Sequence, residues 1–194
     1  MWKEDTEVSD ETIFVEFRRK VRSAEMLSAA MHRLLEALGF TGRLTVVVQN
    51  GSVSSNPVTV PVAPTAPGIF TPNSSGSGPG AILHADYSLV NAAKPAISGE
   101  TVLIFLTGMG GVSPTVADGT AGGSNPLSKT TVSQIDVRIG GQPGTVIYSG
   151  LAPGFPGLYQ MNVTLPPVFP FTGNVPVAIV TPNAAHDQVD IVIQ

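Results

Sequence analysis

Three histidines and a handful of carboxylates are the residues that could do acid–base or metal chemistry in this chain. His32, His84 and His186 are far apart, and none has a second ligand at i+2 or i+4, the spacings that put two side chains on one metal. Each therefore reads as a surface or loop histidine. Beyond residue 41 the carboxylates are Asp86, Glu100, Asp118, Asp136, Asp187 and Asp190. Glycoside hydrolysis needs two carboxyls facing each other across a cleft. Asp136 and Asp190 instead fall on the polar phase of alternating segments, and Asp86 and Asp118 lie among turn residues, where aspartate caps the backbone. A calcium loop would need Asp-x-Asp-x-Asp-Gly, which is absent. There is no cysteine, which removes disulfides and thiolate metal sites.

Two further motifs invite chemistry. Gly108-Met109-Gly110-Gly111 follows an apolar run as a phosphate loop would, yet no Lys-Ser/Thr follows it and Val112-Ser113-Pro114 breaks the helix such a loop requires. It reads as a glycine-rich turn. No Gly-x-Ser-x-Gly occurs, so the nucleophile elbow of a hydrolase is missing. Asn73-Ser74-Ser75 and Asn162-Val163-Thr164 match the N-glycosylation pattern and are read as incidental. Among aromatics, Tyr148 and Tyr159 fall in the apolar phase of strands and are assigned to the core. Tyr87 and Phe155 lie between strands and are the candidate ligand-binding residues, able to stack on a sugar if they point outward. The expectation is thus of no enzyme, no metal and no cofactor.

The elements that position these residues follow from patterning. Apolar residues make up 42% of 194 and charged residues only 12%, which is a core-forming and not a disordered composition. The net charge of −4 and the lack of a basic stripe argue against nucleic acid. No run of 18 apolar residues is present, so no membrane-spanning helix is expected, and Met1-Trp2-Lys3-Glu4-Asp5 does not resemble a signal peptide.

Charge is unevenly spread. Residues 1–40 hold 14 of the 24 charged side chains, one glycine and no proline. Within them Leu27, Met31, Leu34, Leu35 and Leu38 recur at helical spacing, after Ser23 as N-cap and before Gly39 as stop. Residues 12–17 fit either period. Ile13, Val15 and Phe17 alternate like a strand, Phe14, Phe17 and Val21 fit a helix, and the helix is preferred. The basic cluster Arg18–Arg22 reads as a solvated face balanced by neighbouring acids.

From residue 43 the period becomes two. Strands are expected at Leu44–Val48, Val58–Val62, Thr101–Leu106, Ile135–Ile139, Val146–Tyr148, Tyr159–Leu165, Val175–Val180 and Val189–Ile193. No helical segment separates them, so the fold class is mainly β: an immunoglobulin-like antiparallel β-sandwich with an N-terminal helical segment. The expected organisation is a charged helical segment over 1–40, a hairpin over 41–63, and a β-sandwich module over 64–194. Thr41–Val62 and Thr172–Ile193 share a layout of Thr-Gly, strand, polar turn and alternating strand. The first is therefore read as the terminal hairpin of a truncated preceding module. Left alone it would be marginal, so it is expected to pack on the helix of residues 1–40 or to form a homodimer by pairing residues 43–62 with a second copy.

The runs Ala66-Pro67-Gly68-Ile69-Phe70-Thr71, Gly80-Ala81-Ile82-Leu83, Asn91-Ala92-Ala93-Lys94-Pro95-Ala96 and Gly108-Met109-Gly110 come in an order that resembles a Solibacter-type C-terminal repeat domain of acidobacterial proteins. Val137–Gly141, Tyr148–Gly154 and Leu158–Val163 continue the resemblance, which covers about residues 43–194. It implies an IPT/TIG immunoglobulin-like sandwich in a secreted or cell-surface protein, with no catalytic residues to carry over. The function expected is a non-catalytic structural or adhesive repeat module, the alternative a carbohydrate-binding module. The expected partners are cell-envelope polysaccharide or neighbouring protein modules.

Overall fold

A computed structural model of the chain describes residues 12–16, 42–50 and 52–194. The fold is mainly β, and no helix occurs among the described residues. The chain divides between Pro64 and Thr65 into two compact units.

In the first unit, β2 (Gly42–Asn50) is central. It pairs antiparallel with β4 (Val58–Val62), Gly42 opposite Val62 and Val46 opposite Val58, and at its end with the two-residue β3 (Val53–Ser54). Its other edge takes β1 (Thr12–Glu16) in parallel, from Thr12 opposite Thr45 to Glu16 opposite Gln49. The helical preference over residues 12–17 is corrected here for Thr12–Glu16, which form a strand. The alternation of Ile13 and Val15 governs, because β2 offers an unpaired edge whose backbone groups only an extended partner can satisfy. The hairpin is thus completed by a third strand. The helix expected from Ser23 lies outside the described residues. Both edges of β2 are occupied within the chain, so pairing with a second copy is left to the outer edges of β1 and β4.

The second unit runs from Thr65 to Gln194. Its strands are β5 (Gly68–Ile69), β6 (Gly78–Pro79), β7 (Ile82–Leu83), β8 (Thr101–Thr107), β9 (Val112–Ser113), β10 (Lys129–Thr130), β11 (Asp136–Ile139), β12 (Gln142–Leu151), β13 (Tyr159–Thr164), β14 (Gly173–Val180) and β15 (Ala185–Ile193). The hydrogen-bonded order is β5-β8-β13-β12-β11-β14-β15-β6, with β7 also on β8 and the β9/β10 pair beside β12. The long strands are antiparallel to one another, and the short β6 lies parallel to β15.

Two segments change partners and thereby curl this sheet around one core. The first part of β12, Gln142–Gly144, pairs with β11, and the part from Thr145 pairs with β13. The change of partner falls between Gly144 and Thr145, and a bulge between Val146 and Tyr148, within the β13 ladder, leaves Ile147 exposed. On the other side Gly78–Pro79 lie along β15, and after Gly80-Ala81 the chain pairs with β8 as β7. The core is shared by both ladders: Val102, Ile104, Leu106, Met161 and Val163 from one, and Val137, Ile139, Val177, Ile179, Val189, Ile191 and Ile193 from the other. Alternation is strict in β13 and β14, where Tyr159, Met161, Val163, Val175, Val177 and Ile179 point in. The continuous apolar run of β8 is buried on both faces at Val102–Ile104.

Register fixes where the ends of this unit lie. At one end, Thr65 Oγ1 is 2.6 Å from Thr181 Oγ1, and Ala66 N–H donates to Gly108 O at 2.9 Å, just past β8. At the other, Gln194 N–H donates to Ala96 O, and Gly99 N–H to Pro166 O, beyond the start of β8 and the close of β13. β15 runs between these ends. Thr65 and Gln194 therefore stand at opposite ends of the strand axis.

Ser149 is a buried polar residue in β12, opposite Met161, and its Oγ has no hydrogen-bond partner. A buried hydroxyl without a partner costs free energy that alanine avoids. Ser149→Ala is expected to leave the urea midpoint unchanged or to raise stability by up to about 1 kcal/mol. A fall of similar size would mean the hydroxyl is satisfied in solution.

Candidate functional site

The glycine-rich segment after β8 is built inward. Four successive carbonyls are taken: Gly108 O by Ala66 N–H, Met109 O by Thr130 Oγ1 at 2.6 Å, Gly110 O by the Tyr159 hydroxyl, and Gly111 O by Thr131 N–H at 2.8 Å. Met109 is fully buried in the core. A phosphate loop aims N–H groups at its ligand. This loop uses its carbonyls to bind three neighbouring segments to the end of the sheet, so its chemistry is structural.

The segment following β7 gathers His84, Asp86, Lys94 and Glu100, four of the eleven histidine and charged side chains of this unit. Asp86 Oδ1 accepts from Ser88 N–H at 2.9 Å and from Ser88 Oγ at 2.5 Å, which closes an Asx turn. Its Oδ2 meets Lys94 Nζ at 2.6 Å. The Lys94 ammonium, then Ser88, holds the Asp86 carboxyl well below the usual carboxylate range. Asn91 Oδ1 caps the next turn through Ala93 and Lys94 N–H. Both Asp86 oxygens thus serve the turn, and among the described residues no three His, Asp or Glu side chains come together to hold a metal.

His84 departs from its reading as a surface or loop histidine. It is 8% exposed, with Nε2 3.2 Å from Lys94 O and Nδ1 3.0 Å from Glu100 Oε1. A carbonyl only accepts, so Nε2 carries a proton. Nδ1 then faces a buried carboxylate oxygen at ion-pair distance, without hydrogen-bond alignment. His84 follows β7 and Glu100 precedes β8, so the pair clasps the ends of the intervening loop. Sequence spacing gave no sign of it. Partners sixteen positions apart meet only because β7 lies antiparallel along β8 and residues 88–90 fold back on β7.

His186, in β15, is half-buried, and its Nε2 lacks a hydrogen-bond partner. Burial lowers its pKa from 6.5, against the opposing pull of Asp187. A base with a depressed folded pKa binds protons more readily when unfolded, so its stabilising effect is present above pH 6.5 and is lost as pH falls below it. Unfolding midpoints of the native chain are expected to drop between about pH 7.5 and 5.5, and His186→Gln to flatten that slope. Parallel slopes would remove His186 as the cause.

Tyr87 and Phe155 are both exposed, 67% and 58%. Tyr87 sits at the tip of the loop after β7 in a left-handed conformation, φ 64°. Phe155 follows Gly154 in the β12–β13 connection, which is docked on Ala121-Gly122 through bridges to Pro156 and Pro153. Register separates the two rings. β7 leads toward the Thr101 end of β8, where Leu83 lies opposite Leu103, whereas Phe155 precedes Tyr159, which lies opposite Leu106 near the other end. They stand toward opposite ends of the unit and do not form one platform. Tyr159 is buried and Tyr148 half-buried, its hydroxyl donating to Leu151 O at 2.7 Å. Among the described residues no helix is long and apolar enough to cross a membrane. Searches with this chain against protein-family models, curated proteins and solved structures return no match.

Proposed function

We propose that this chain is a non-catalytic structural or adhesive module, an immunoglobulin-like β-sandwich of the IPT/TIG kind serving as a repeat in a bacterial surface or secreted protein. The observation that carries the reading is the placement of Thr65 and Gln194 at opposite ends of the strand axis. A unit built this way adds its full length when placed in series. The sandwich assignment is supported by two ladders sharing one core. The ionisable groups support a non-catalytic role, since they fix turns and strands: Asp86 with Lys94, Asp136 with Arg138, His84 with Glu100.

The chain has no cysteine, so nitroxides on Pro64→Cys and Gln194→Cys report one distance. The expected separation is roughly 30 Å or more, the rise of a nine-residue strand such as β15. A separation below about half that rise overturns the spacer reading.

The carbohydrate-binding alternative is favoured by the exposure of Tyr87 and Phe155. Each ring would act alone, as the edge of a separate contact. Selective retention on insoluble polysaccharide, competed by one soluble glycan and lost in Tyr87→Ala or Phe155→Ala, would establish it.

A further inference from the structure

We propose that the unit Thr65–Gln194 is a load-bearing element, in which tension between its ends is carried in shear by the ladders that hold its first and last segments. This inference rests on the structural-module reading and adds a mechanical function to it.

The argument starts from direction. β15 runs from the end marked by Thr181 to the end marked by Ala96, so a pull on Gln194 away from Thr65 acts along the axis of β15 itself. That strand is held on one side by seven registered pairs with β14, from Val180 opposite Ala185 to Gly173 opposite Ile193. On its other side lie Gly78 and Pro79, opposite Val189 and Asp190, with Gly80 N–H donating to Asp190 O and Ala96 N–H to Val192 O. The terminal strand is therefore gripped along both edges.

The first segment has the same geometry in mirror order. From Thr65 the chain enters along β8, with Gly68 opposite Thr107 and Ile69 opposite Leu106. Ala66 N–H to Gly108 O and Phe70 N–H to Phe105 O extend the grip on either side. A pull on Thr65 away from Gln194 again slides a strand along its neighbour. The Thr65–Thr181 hydroxyl contact, 2.6 Å long and buried, ties this segment to the β14–β15 turn as well.

Shear and unzipping load the same bonds differently. When a strand is drawn along its axis, all rungs stretch together and must fail together. When two strands are parted at one end, each rung carries the load alone and fails in turn. A single backbone hydrogen bond contributes little on its own, so the number loaded at once decides the barrier. Forced unfolding reports that barrier through the unfolding rate. Of the two grips, the one at residues 66–70 is the shorter and is the first to yield.

The test pulls single molecules of the full chain through engineered cysteines. Pro64→Cys with Gln194→Cys applies shear. Asn174→Cys with Gln194→Cys unzips β14 from β15, since Asn174 lies opposite Val192. Should Asn174→Cys fold poorly, the exposed Thr172→Cys loads the same end of the ladder. At one pulling speed the shear pair is expected to unfold at roughly twice the force of the unzipping pair or more, because several rungs share the barrier. Equal forces, or a weaker shear pair, overturn the proposal. Equal forces together with a long nitroxide separation overturn the clamp and leave the spacer. A short separation overturns the spacer itself.

Discussion

Gly108→Ala is expected to remove at least about 3 kcal/mol from the stability of the second unit, a loss at the upper end of single substitutions. Two causes add. Gly108 has φ +74°, where an L side chain costs about 1–2 kcal/mol. Its Cβ would also stand 1.9 Å from Ala66 O, so the backbone of residues 66–69 must leave β8. Gly76→Ala is the control: φ is +75° there, but nothing lies within 4 Å of the added carbon. It should cost only about 1–2 kcal/mol, the conformational part alone. Urea midpoints measure both, and amide exchange at Ala66 and Phe70 should accelerate in Gly108→Ala alone. Equal losses in the two variants would show that the close approach to Ala66 is absent in solution.

The second large effect is expected at the clasp. His84→Leu leaves Glu100, whose side chain is 20% exposed, facing an apolar group with Oε1 still buried. Breaking a buried pair from one side costs more than the pair is worth, and for this partly buried case the loss should be about 2–3 kcal/mol. Removing both side chains in His84→Leu/Glu100→Leu should restore at least half of it, because no uncompensated carboxylate remains. A double variant as unstable as the sum of the two singles would mean that the side chains do not interact.

The sequence made the long strands of the second unit legible because their outer faces are wet. In Asp136–Ile139 and Tyr159–Thr164 each polar residue falls between two that the core requires, so a period of two is written into the composition. The strands it hid are those of two residues. β5, β6, β9 and β10 contain glycine, proline, serine or lysine, β7 is only Ile82-Leu83, and all five are too short to show any period, yet they bound the ladders and set the ends of the unit. Thr12–Glu16 was misleading for a different reason: Phe17 fits both periods and Phe14 breaks the alternation, and the choice belongs to β2, which is distant in sequence. The candidate aromatics were legible as exposed and not as separated, since their positions depend on strand direction. The His84–Glu100 contact depends on a fold-back that no local spacing encodes.

The partner changes at β12 and at residues 78–83 bear also on crowding. Units strung on one chain meet each other at millimolar effective concentration, on the order expected for short tethers. At such densities an open sheet margin is a template for fibrous association. Here both junctions between the ladders are made by continuous chain, and β15 is flanked by Gly78-Pro79 and Ala96. On the outer edge of β15 the stretch without a strand partner is brief, Ala185–Gln188, where a histidine and an aspartate interrupt any apolar match. If such units stand in a row, as the proposed repeat module would have them, neighbours could touch without exchanging strands.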